Sequence, residues 1–243
     1  MDLQPLSCPR VAFFGGSFDP PHLGHLEVAR AAQVALGLDT VLFAPVGEQP
    51  LKPQGSTAVF ADRLAMTRLA VAGDPAFAAS LADAPKPTGD PNYTFDTLVA
   101  LRAQLPPDGA LFCLMGADAF ALLRRWHRSA EIPFVAPLIV ASRPGEQLDD
   151  LVAFLPDGLT IKAAPGLERS ASQIDLRRYT LRNSSGQQVP FYLLPGLDIE
   201  ISASEIRGQL RDHAPAVSVS QTPQPADLPA TVSDYIRAHR LYR

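Results

Sequence analysis

One uninterrupted stretch, residues 11–26, constrains the fold and function of this chain more than any other and reads VAFFGGSFDPPHLGHL. Its apolar run VAFF is typical of a short buried strand. Two glycines follow directly, and because glycine has no Cβ the backbone can turn sharply there and a ligand can come close to it. A turn at Asp-Pro-Pro and two histidines come next, and residues 26–36 carry apolar side chains at helical spacing. The stretch therefore predicts a strand, a glycine turn, a histidine pair and a helix, in that order.

This order places the histidines where parallel α/β proteins bind phosphate. The carboxyl end of the strand and the amino end of the helix lie side by side there, and free backbone N–H groups and the helix dipole attract anions. His22 and His25 are three residues apart, a spacing that puts both on one helix face and that also suits a metal pair. Zinc usually needs three or four protein ligands, and no cysteine or third histidine stands nearby. Contact with a polyphosphate is therefore the favoured interpretation.

The rest of the chain alternates strand-like apolar runs with segments of helical periodicity. This alternation predicts an α/β fold of the Rossmann-like, doubly wound type, with a mostly parallel sheet and helices on both faces. We expect one domain over residues 1–243, with a helical C-terminal portion from about 202 and an inserted segment at about 168–188. The strands predicted after the first are at residues 40–44, 77–80, 111–115, 134–141, 160–164 and 189–194. The predicted helices are at residues 26–36, 57–71, 95–104, 119–124, 148–154, 203–211 and 228–240.

Composition argues against some classes of protein. The chain has 243 residues and a formal net charge of −4, whereas dedicated nucleic-acid binders usually carry a basic face. No apolar run reaches the ~18 residues of a membrane span, and no basic segment followed by an apolar one begins the chain. Cys8 and Cys113 lie far apart and are expected to be free thiols. We therefore expect a cytoplasmic protein without nucleic-acid or membrane partners, and the sequence leaves open whether it forms a homo-oligomer.

A second ligand-facing loop is predicted after the buried strand at residues 111–115. Gly116 and Asp118 follow that strand directly, and a helix comes next. Asp118 either caps the helix or accepts hydrogen bonds from a ribose hydroxyl or an amine. Trp126, the only tryptophan, either shields the core or offers a stacking surface to a flat heteroaromatic ring. Arg143, at the end of a later predicted strand, can meet a phosphate or a base.

Two further cations are placed to reach an anion at the same edge of the sheet. Lys52 lies in a proline-bounded loop after the second predicted strand, where it is either solvated or a phosphate contact. Ser202 is followed three residues later by Glu205, which is the pattern of a capping box at a helix start. Arg207 lies one turn into that helix, so it can reach an anion held by the free N–H groups.

Several motifs together resemble one family, the bacterial nicotinate-nucleotide adenylyltransferases of the HxGH nucleotidyltransferase superfamily. The motifs are GGSFDPPHLGH at residues 15–25, NYTFDTL at 92–98, LMGAD at 114–118, Trp126 with His127, ISASEIR at 201–207 and the terminal YIRAHRLYR. They cover nearly the whole chain in the family's order. The histidine turn alone would indicate only the superfamily, whereas the GAD loop, the tryptophan and ISASEIR make the resemblance specific.

The resemblance implies a role for each matching residue. The catalytic residues that it implies are His22, His25, Lys52 and Arg207. The residues that it implies for ATP binding are Gly15, Gly16, Ser17, Phe18, Gly116, Asp118, Arg143, Ile201, Ser202 and Ser204. The residues that it implies for the second substrate are Asp19, Thr94, Trp126 and His127. It also implies Mg²⁺ as a cofactor, bound mainly through the ATP phosphates.

The activity that the resemblance implies is adenylyl transfer from MgATP to nicotinate mononucleotide, which gives deamido-NAD and pyrophosphate in NAD biosynthesis. Two positions depart from the family pattern, because Leu51 replaces a histidine before the lysine and Ala203 lacks one hydroxyl. A sister nucleotidyltransferase acting on another phosphate ester, such as pantetheine phosphate, is one alternative, and Trp126 and the NYT segment argue against it. A non-catalytic nucleotide-binding regulatory domain is the other, and the intact histidine pair argues against it.

Overall fold

The computed structural model describes residues 9–52, 54–142, 151–164, 175–197, 202–212 and 227–243. The strands in these ranges are β1 (Arg10–Gly16), β2 (Thr40–Pro45), β3 (Phe77–Ala79), β4 (Ala110–Gly116), β5 (Leu138–Ala141), β6 (Thr160–Ala163), β7 (Arg177–Arg182) and β8 (Gln188–Leu194). The helices are α1 (Leu23–Leu36), α2 (Phe60–Val71), α3 (Thr94–Gln104), α4 (Ala117–Ala121), α5 (Ile132–Val135), α6 (Leu151–Phe154), α7 (Ala203–Asp212) and α8 (Ala230–His239). A 3₁₀ turn covers Leu123–Arg125.

These strands form one sheet in the order β3-β2-β1-β4-β5-β8-β7-β6. The pairs from β3 through to β8 are parallel, and β7 and β6 add an antiparallel edge. The predicted mostly parallel α/β sheet is therefore confirmed. The strand order reverses between β1 and β4, and open α/β sheets bind ligands in the crevice at such a point.

The central strands of the sheet are buried on both faces, which explains their continuous apolar runs. In β1, Phe13 belongs to one core together with Phe95 and Leu98 of α3. Its neighbour Phe14 points to the other face and belongs to a core with Val28 of α1. Strand side chains alternate between faces, so helices on both sides are needed to cover such a strand. The expected helices on both faces are thus confirmed.

A third apolar cluster lies between the C-terminal helices and α2. It includes Met66 of α2, Ile206 of α7, and Val232 and Ile236 of α8, all buried. This packing attaches the C-terminal part of the chain to the helix that follows β2. Because α7 also carries Arg207, the cluster fixes where that arginine can reach.

The predicted strand at 134–141 is wrong in its first half. Residues Ile132–Val135 form α5, and the strand begins only at Leu138. Pro133 stands in the first turn of α5, where a missing N–H is tolerated. Pro137 has no N–H to donate to a strand ladder, so regular pairing starts after it.

Three predicted helix starts are also displaced. Helix α1 begins at Leu23 instead of residue 26, because His22 is extended and its N–H donates to the side chain of His25 within the first turn. Helix α2 begins at Phe60 instead of residue 57, because the N–H groups of Thr57 and Ala58 donate to a carboxylate outside the helix. Helix α4 begins at Ala117, directly after β4, instead of at residue 119. It ends at Ala121, short of the predicted residue 124.

The remaining strand predictions are confirmed to within a residue or two, and so is the closing helix, which forms α8. The described part of the predicted insertion at 168–188 contains β7, which pairs with β8 and extends the sheet. Cys113 is buried and free. Cys8, residues 148–150 of a predicted helix and residues 213–226 lie outside the described residues. Within the described ranges, no helix combines the length and apolarity that crossing a membrane requires.

Candidate active site

A cavity of about 570 Å³ opens at the carboxyl ends of β1 and β4, where the strand order reverses. Its walls include every predicted site residue that the structure describes: Gly15, Gly16, Ser17, Phe18, Asp19, His22, His25, Lys52, Thr94, Gly116, Asp118, Trp126, His127, Ser202, Ser204 and Arg207. Arg143 and Ile201 lie outside the described residues. Segments far apart in the chain therefore meet around one space.

Gly15 and Gly16 are the last residues of β1, so the predicted turn at the glycines is wrong in position. A Cβ built on Gly15 would lie 2.8 Å from the Phe13 ring, and one built on Gly16 would lie 3.3 Å from the Phe18 ring. The chain turns immediately afterwards, where Phe18 has a φ of 45°. Neighbouring aromatic rings, more than a bend at the glycines themselves, leave little room for a side chain at these two positions.

The imidazole rings of His22 and His25 lie close together at the cavity wall. Their ring centroids are 3.7 Å apart with an angle of 31° between the planes. The backbone N–H of His22 donates to Nδ1 of His25 across 3.2 Å. Burial, and then the charge of His22, hold the pKa of His25 well below its ordinary value. His25 is therefore neutral, with its remaining ring proton on Nε2.

Lys52 is joined to the turn after β1 through a serine hydroxyl. Its Nζ donates to Oγ of Ser17 across 3.1 Å, and that hydroxyl donates in turn to Oε1 of Gln49 across 3.1 Å. The ammonium group is exposed on the cavity side of the loop. The loop that follows β2 is thereby fixed beside the histidine turn, as the phosphate-contact interpretation of Lys52 requires.

Arg207 reaches the same turn from helix α7. One guanidinium nitrogen donates to the main-chain oxygen of Asp19 across 2.7 Å, and the other to Oγ of Ser204 across 3.1 Å. Ser202 precedes α7, and its Oγ accepts the N–H of Ser204 across 3.2 Å. The capping role predicted for Ser202 is confirmed. Both serines and the arginine line the cavity.

The carboxylate of Asp19 is occupied by donors from the protein. It accepts the backbone N–H groups of Thr57 and Ala58 at 2.6 and 3.0 Å and the phenol of Tyr242 at 2.8 Å. The side chain is buried, with 4% of its surface exposed. These contacts favour a positioning role, and the substrate contact predicted for this residue stays a prediction.

The side chains of Tyr93, Trp126 and His127 lie at the part of the cavity that is predicted to bind the second substrate. The rings of Tyr93 and His127 lie 4.5 Å apart at an angle of 36°. Trp126 is half-buried, packs against the core of β4 and also lines the cavity. The core-shielding and ligand-facing interpretations of this tryptophan are thus compatible.

The capping alternative for Asp118 is wrong. Helix α3 begins at Thr94, and Tyr93 occupies its cap position. Gly116 occupies the cap position of α4, and Asp118 lies inside the helix with its Oδ1 accepting the N–H of Ala119. The exposed Asp118 side chain still lines the cavity, and its contact with a ribose stays a prediction.

Arg63 is an important residue that sequence reasoning missed. It is 2% exposed, and its guanidinium donates to the carbonyl oxygens of Ser17, Val46 and Ala58 at 2.8, 2.8 and 3.2 Å. It therefore ties the histidine turn to the segments on either side of the Lys52 loop. A sequence signal existed, because Phe60, Leu64 and Val71 share one face of the predicted helix and Arg63 falls on the same face.

A second missed group joins the Lys52 loop to the start of α3. The side chain of Asn92 accepts the N–H of Glu48 and donates to the carbonyl of Ala84 at 3.0 and 2.9 Å. Asp83, also buried, accepts the hydroxyl of Thr97 across 2.7 Å, and burial raises the pKa of its carboxyl group. Asn92 and Thr97 stand in the NYTFDTL motif, but spacing carries no signal for their partners Glu48, Ala84 and Asp83, which lie in loops with no regular period.

The cytidylyltransferase-like family model matches residues 13–209 of the chain. A protein of Pelobacter propionicus described as a probable nicotinate-nucleotide adenylyltransferase is 34% identical over 241 residues, which cover 96% of this chain and 98% of that protein. The chain belongs to the nicotinate-nucleotide adenylyltransferase family. A family member described in the same words, from Laribacter hongkongensis, is 37% identical over 238 residues and covers 97% and 96% of the two chains.

A solved structure supports the family's fold. The Plasmodium falciparum nicotinic acid mononucleotide adenylyltransferase, complexed with NaAD, has a TM-score of 0.64 and 15% sequence identity to this chain. The match covers 96% of this chain and 97% of that one. At this identity the likeness concerns the fold. Family membership itself rests on sequence, and it makes the chain an enzyme of the nucleotidyltransferase class.

Proposed function

We propose that this member of the adenylyltransferase family transfers the adenylyl group of ATP to nicotinate mononucleotide, forming deamido-NAD and pyrophosphate for NAD biosynthesis. One observation carries the proposal: a single cavity is lined by the histidine pair, Lys52 and Arg207 together with Trp126 and its aromatic neighbours. The first group suits a triphosphate and the second suits a pyridine ring.

The reaction needs positioning and charge neutralisation more than a protein nucleophile. A phosphate oxygen of nicotinate mononucleotide attacks the α-phosphorus of ATP in line. The bond from that phosphorus to its bridging oxygen breaks, and pyrophosphate leaves with the electron pair. Lys52 and Arg207 offset the negative charge, and His22 donates a hydrogen bond to a phosphate oxygen. His25 offers only its Nε2–H, because its Nδ1 already accepts a hydrogen bond.

Magnesium fits this site as a companion of the nucleotide. Within the described ranges, no three histidine, cysteine or acidic side chains are grouped so as to hold a metal ion. Asp118 is exposed at the cavity wall, and the Asp19 carboxylate is bound to three protein donors. Mg²⁺ keeps much of its hydration and commonly binds through substrate phosphates, where it supplies additional neutralisation of charge. The ATP phosphates and water are therefore its proposed ligands.

The acceptor substrate is proposed to lie against Trp126, with Thr94 and the main chain at His127 near its carboxylate. Thr94 opens helix α3, so backbone N–H groups of its first turn have no partner within the helix. A carboxylate on the pyridine ring can accept from such groups.

Pyrophosphate release by the purified chain with MgATP tests the proposal. Nicotinate mononucleotide, nicotinamide mononucleotide and pantetheine phosphate are supplied in separate assays, with ATP alone as the blank. We expect rapid release and a dinucleotide product with the nicotinate compound. Preference for pantetheine phosphate would instead identify a sister transferase, and no release with any acceptor would indicate a non-catalytic nucleotide binder.

A further inference from the structure

Tyr242, the second residue from the C-terminal end of the described chain, is buried against helices α2 and α7. It is 6% exposed and belongs to the apolar cluster with Met66 of α2 and Ile206 of α7. Its phenol leaves this cluster to donate a hydrogen bond to Oδ1 of Asp19 across 2.8 Å. Burial, and then the charge of Asp19, raise the pKa of this phenol, so it remains a neutral donor.

Asp19 connects this tyrosine to Arg207. Its carboxylate accepts the phenol and the N–H groups of Thr57 and Ala58, which together fix its orientation. Its main-chain oxygen accepts the guanidinium of Arg207 across 2.7 Å. One residue of the turn therefore receives Tyr242 on its side chain and Arg207 on its backbone. The hold on the carboxylate therefore acts on the same residue whose carbonyl orients the arginine.

The neutral phenol also lies among charged groups beneath the turn. The Asp19 carboxylate lies near the buried guanidinium of Arg63, and both Arg63 and Arg207 act electrostatically on the phenol of Tyr242. Without the phenol, one oxygen of the carboxylate keeps only the N–H of Ala58. The carboxylate is then held by two backbone N–H groups alone, beside the cations Arg63 and Arg207. Of these two cations, Arg207 is the one that lines the cavity.

We propose that Tyr242 is a positioning residue for adenylyl transfer, which acts through Asp19 on the guanidinium of Arg207. The inference rests on the proposed function for the identity of the reaction. It assigns a role in ATP handling to a residue that does not itself line the cavity.

The chain offers a matched control in its C-terminal segment, in helix α8. The phenol of Tyr235 donates to Oδ1 of Asp62 across 2.9 Å and so joins α8 to α2. Tyr235→Phe and Tyr242→Phe each remove one phenol-to-carboxylate hydrogen bond and keep the ring. Neither Tyr235 nor Asp62 lines the cavity. A role limited to holding α8 in place predicts similar results for both variants.

The test measures kcat, KM for each substrate and thermal unfolding of both variants. We expect Tyr242→Phe to lower kcat/KM for ATP about tenfold, the size expected for losing a hydrogen bond to a charged group. KM for nicotinate mononucleotide should not change, and Tyr235→Phe should keep wild-type kinetics. Equal kinetic losses in the two variants, or no loss in Tyr242→Phe, would overturn the inference.

A double-mutant comparison tests the route through Arg207. In an Arg207→Ala background, Tyr242→Phe should cause little further loss of kcat/KM for ATP, because the group that it positions is already gone. Independent, multiplying losses would contradict that route. Calorimetry then measures the binding of ATP alone to the wild type, Tyr242→Phe, Arg207→Ala and the double variant. This readout needs no acceptor substrate. A wild-type chain that makes no dinucleotide would contradict the proposed function, while the pattern of ATP affinities would still decide the role of Tyr242.

Discussion

The backbone N–H of His22 donates to Nδ1 of His25 across 3.2 Å, and the centroids of the two rings lie 3.7 Å apart. The third residue of helix α1 thus caps the residue that precedes the helix, a place often taken by glutamate or glutamine. The contact does two things at once. It starts the helix early enough to bring both imidazoles to the cavity, and it assigns the proton of His25 to Nε2.

The lowered pKa of His25 predicts a loss of stability in mild acid. The unfolded chain binds a proton on this residue below about pH 6.5, its ordinary pKa, whereas the folded chain resists that proton because of burial and the charge of His22. The free energy of unfolding should therefore fall as the pH falls below that value, and be insensitive to this group above it. In the His25→Asn variant, measured by urea unfolding across this pH range, the free energy of unfolding should fall less as the pH is lowered. His239→Asn, which alters an exposed histidine of α8, should not, and parallel profiles for the wild type and His25→Asn would contradict the expectation.

Removing either imidazole of the pair should stop turnover without unfolding the chain. We expect His22→Ala and His25→Ala each to lower kcat about a hundredfold or more, the scale seen when a preorganised donor to a developing charge is lost. Circular dichroism should show unchanged secondary structure. His239→Ala is the matched control and should keep normal turnover. Near-normal kcat in both active-site variants would rule out the proposed assignment of the histidines.

Arg63 should be essential for stability although it lies on a helix among apolar residues. Arg63→Met keeps much of the side-chain volume but leaves the carbonyls of Ser17, Val46 and Ala58 without their buried donor. We expect a loss of about 3 kcal/mol or more in the free energy of unfolding, measured in urea. Arg68→Met, on the exposed side of the same helix, should change it little. Similar losses in both variants would show that the three carbonyl contacts do not contribute to the free energy of unfolding as expected.

Gly47 should tolerate no side chain, because it lies where the Lys52 loop meets the segment before α3. A Cβ there would lie 2.5 Å from both N and Cα of Pro85, and backbone atoms cannot rotate away as a side chain can. We expect Gly47→Ala to lower the free energy of unfolding by about 2–3 kcal/mol through overpacking. Gly73→Ala, whose added methyl meets nothing within 4 Å, should be neutral or slightly stabilising. Thermal unfolding of the two variants decides the matter, and equal midpoints would contradict the predicted clash.

Local patterns predicted the central elements well. The apolar runs at residues 111–115 and 189–194 form strands of the sheet, and the final amphipathic segment forms α8. Strand and helix periods act between near neighbours, so they can be read along the chain. Where proline chemistry or a side chain from elsewhere intervened, as at Pro137 and at Thr57, the predicted boundary was wrong.

In the candidate site too, local motifs predicted some residues, and others were missed because their roles depend on distant contacts. The histidines, Lys52, Trp126 and Arg207 were predicted from motif and resemblance, and all line one cavity. Arg63 and Asn92 were missed, because each acts through main-chain groups of residues that are distant in sequence or lie in irregular loops.

The sequence by itself determined the strand, the histidine pair, the helix after it and the family, because these depend on residue types at short, regular spacings. Only the tertiary structure decided which distant groups support them. Tyr242 meets Asp19 across 223 positions, and Arg207 meets the same residue across 188. No periodicity connects such pairs, since their contact exists only after the sheet has formed and the C-terminal helices have packed against α2. The histidine turn is therefore local in origin, and its shape also depends on contacts from the C-terminal part of the chain.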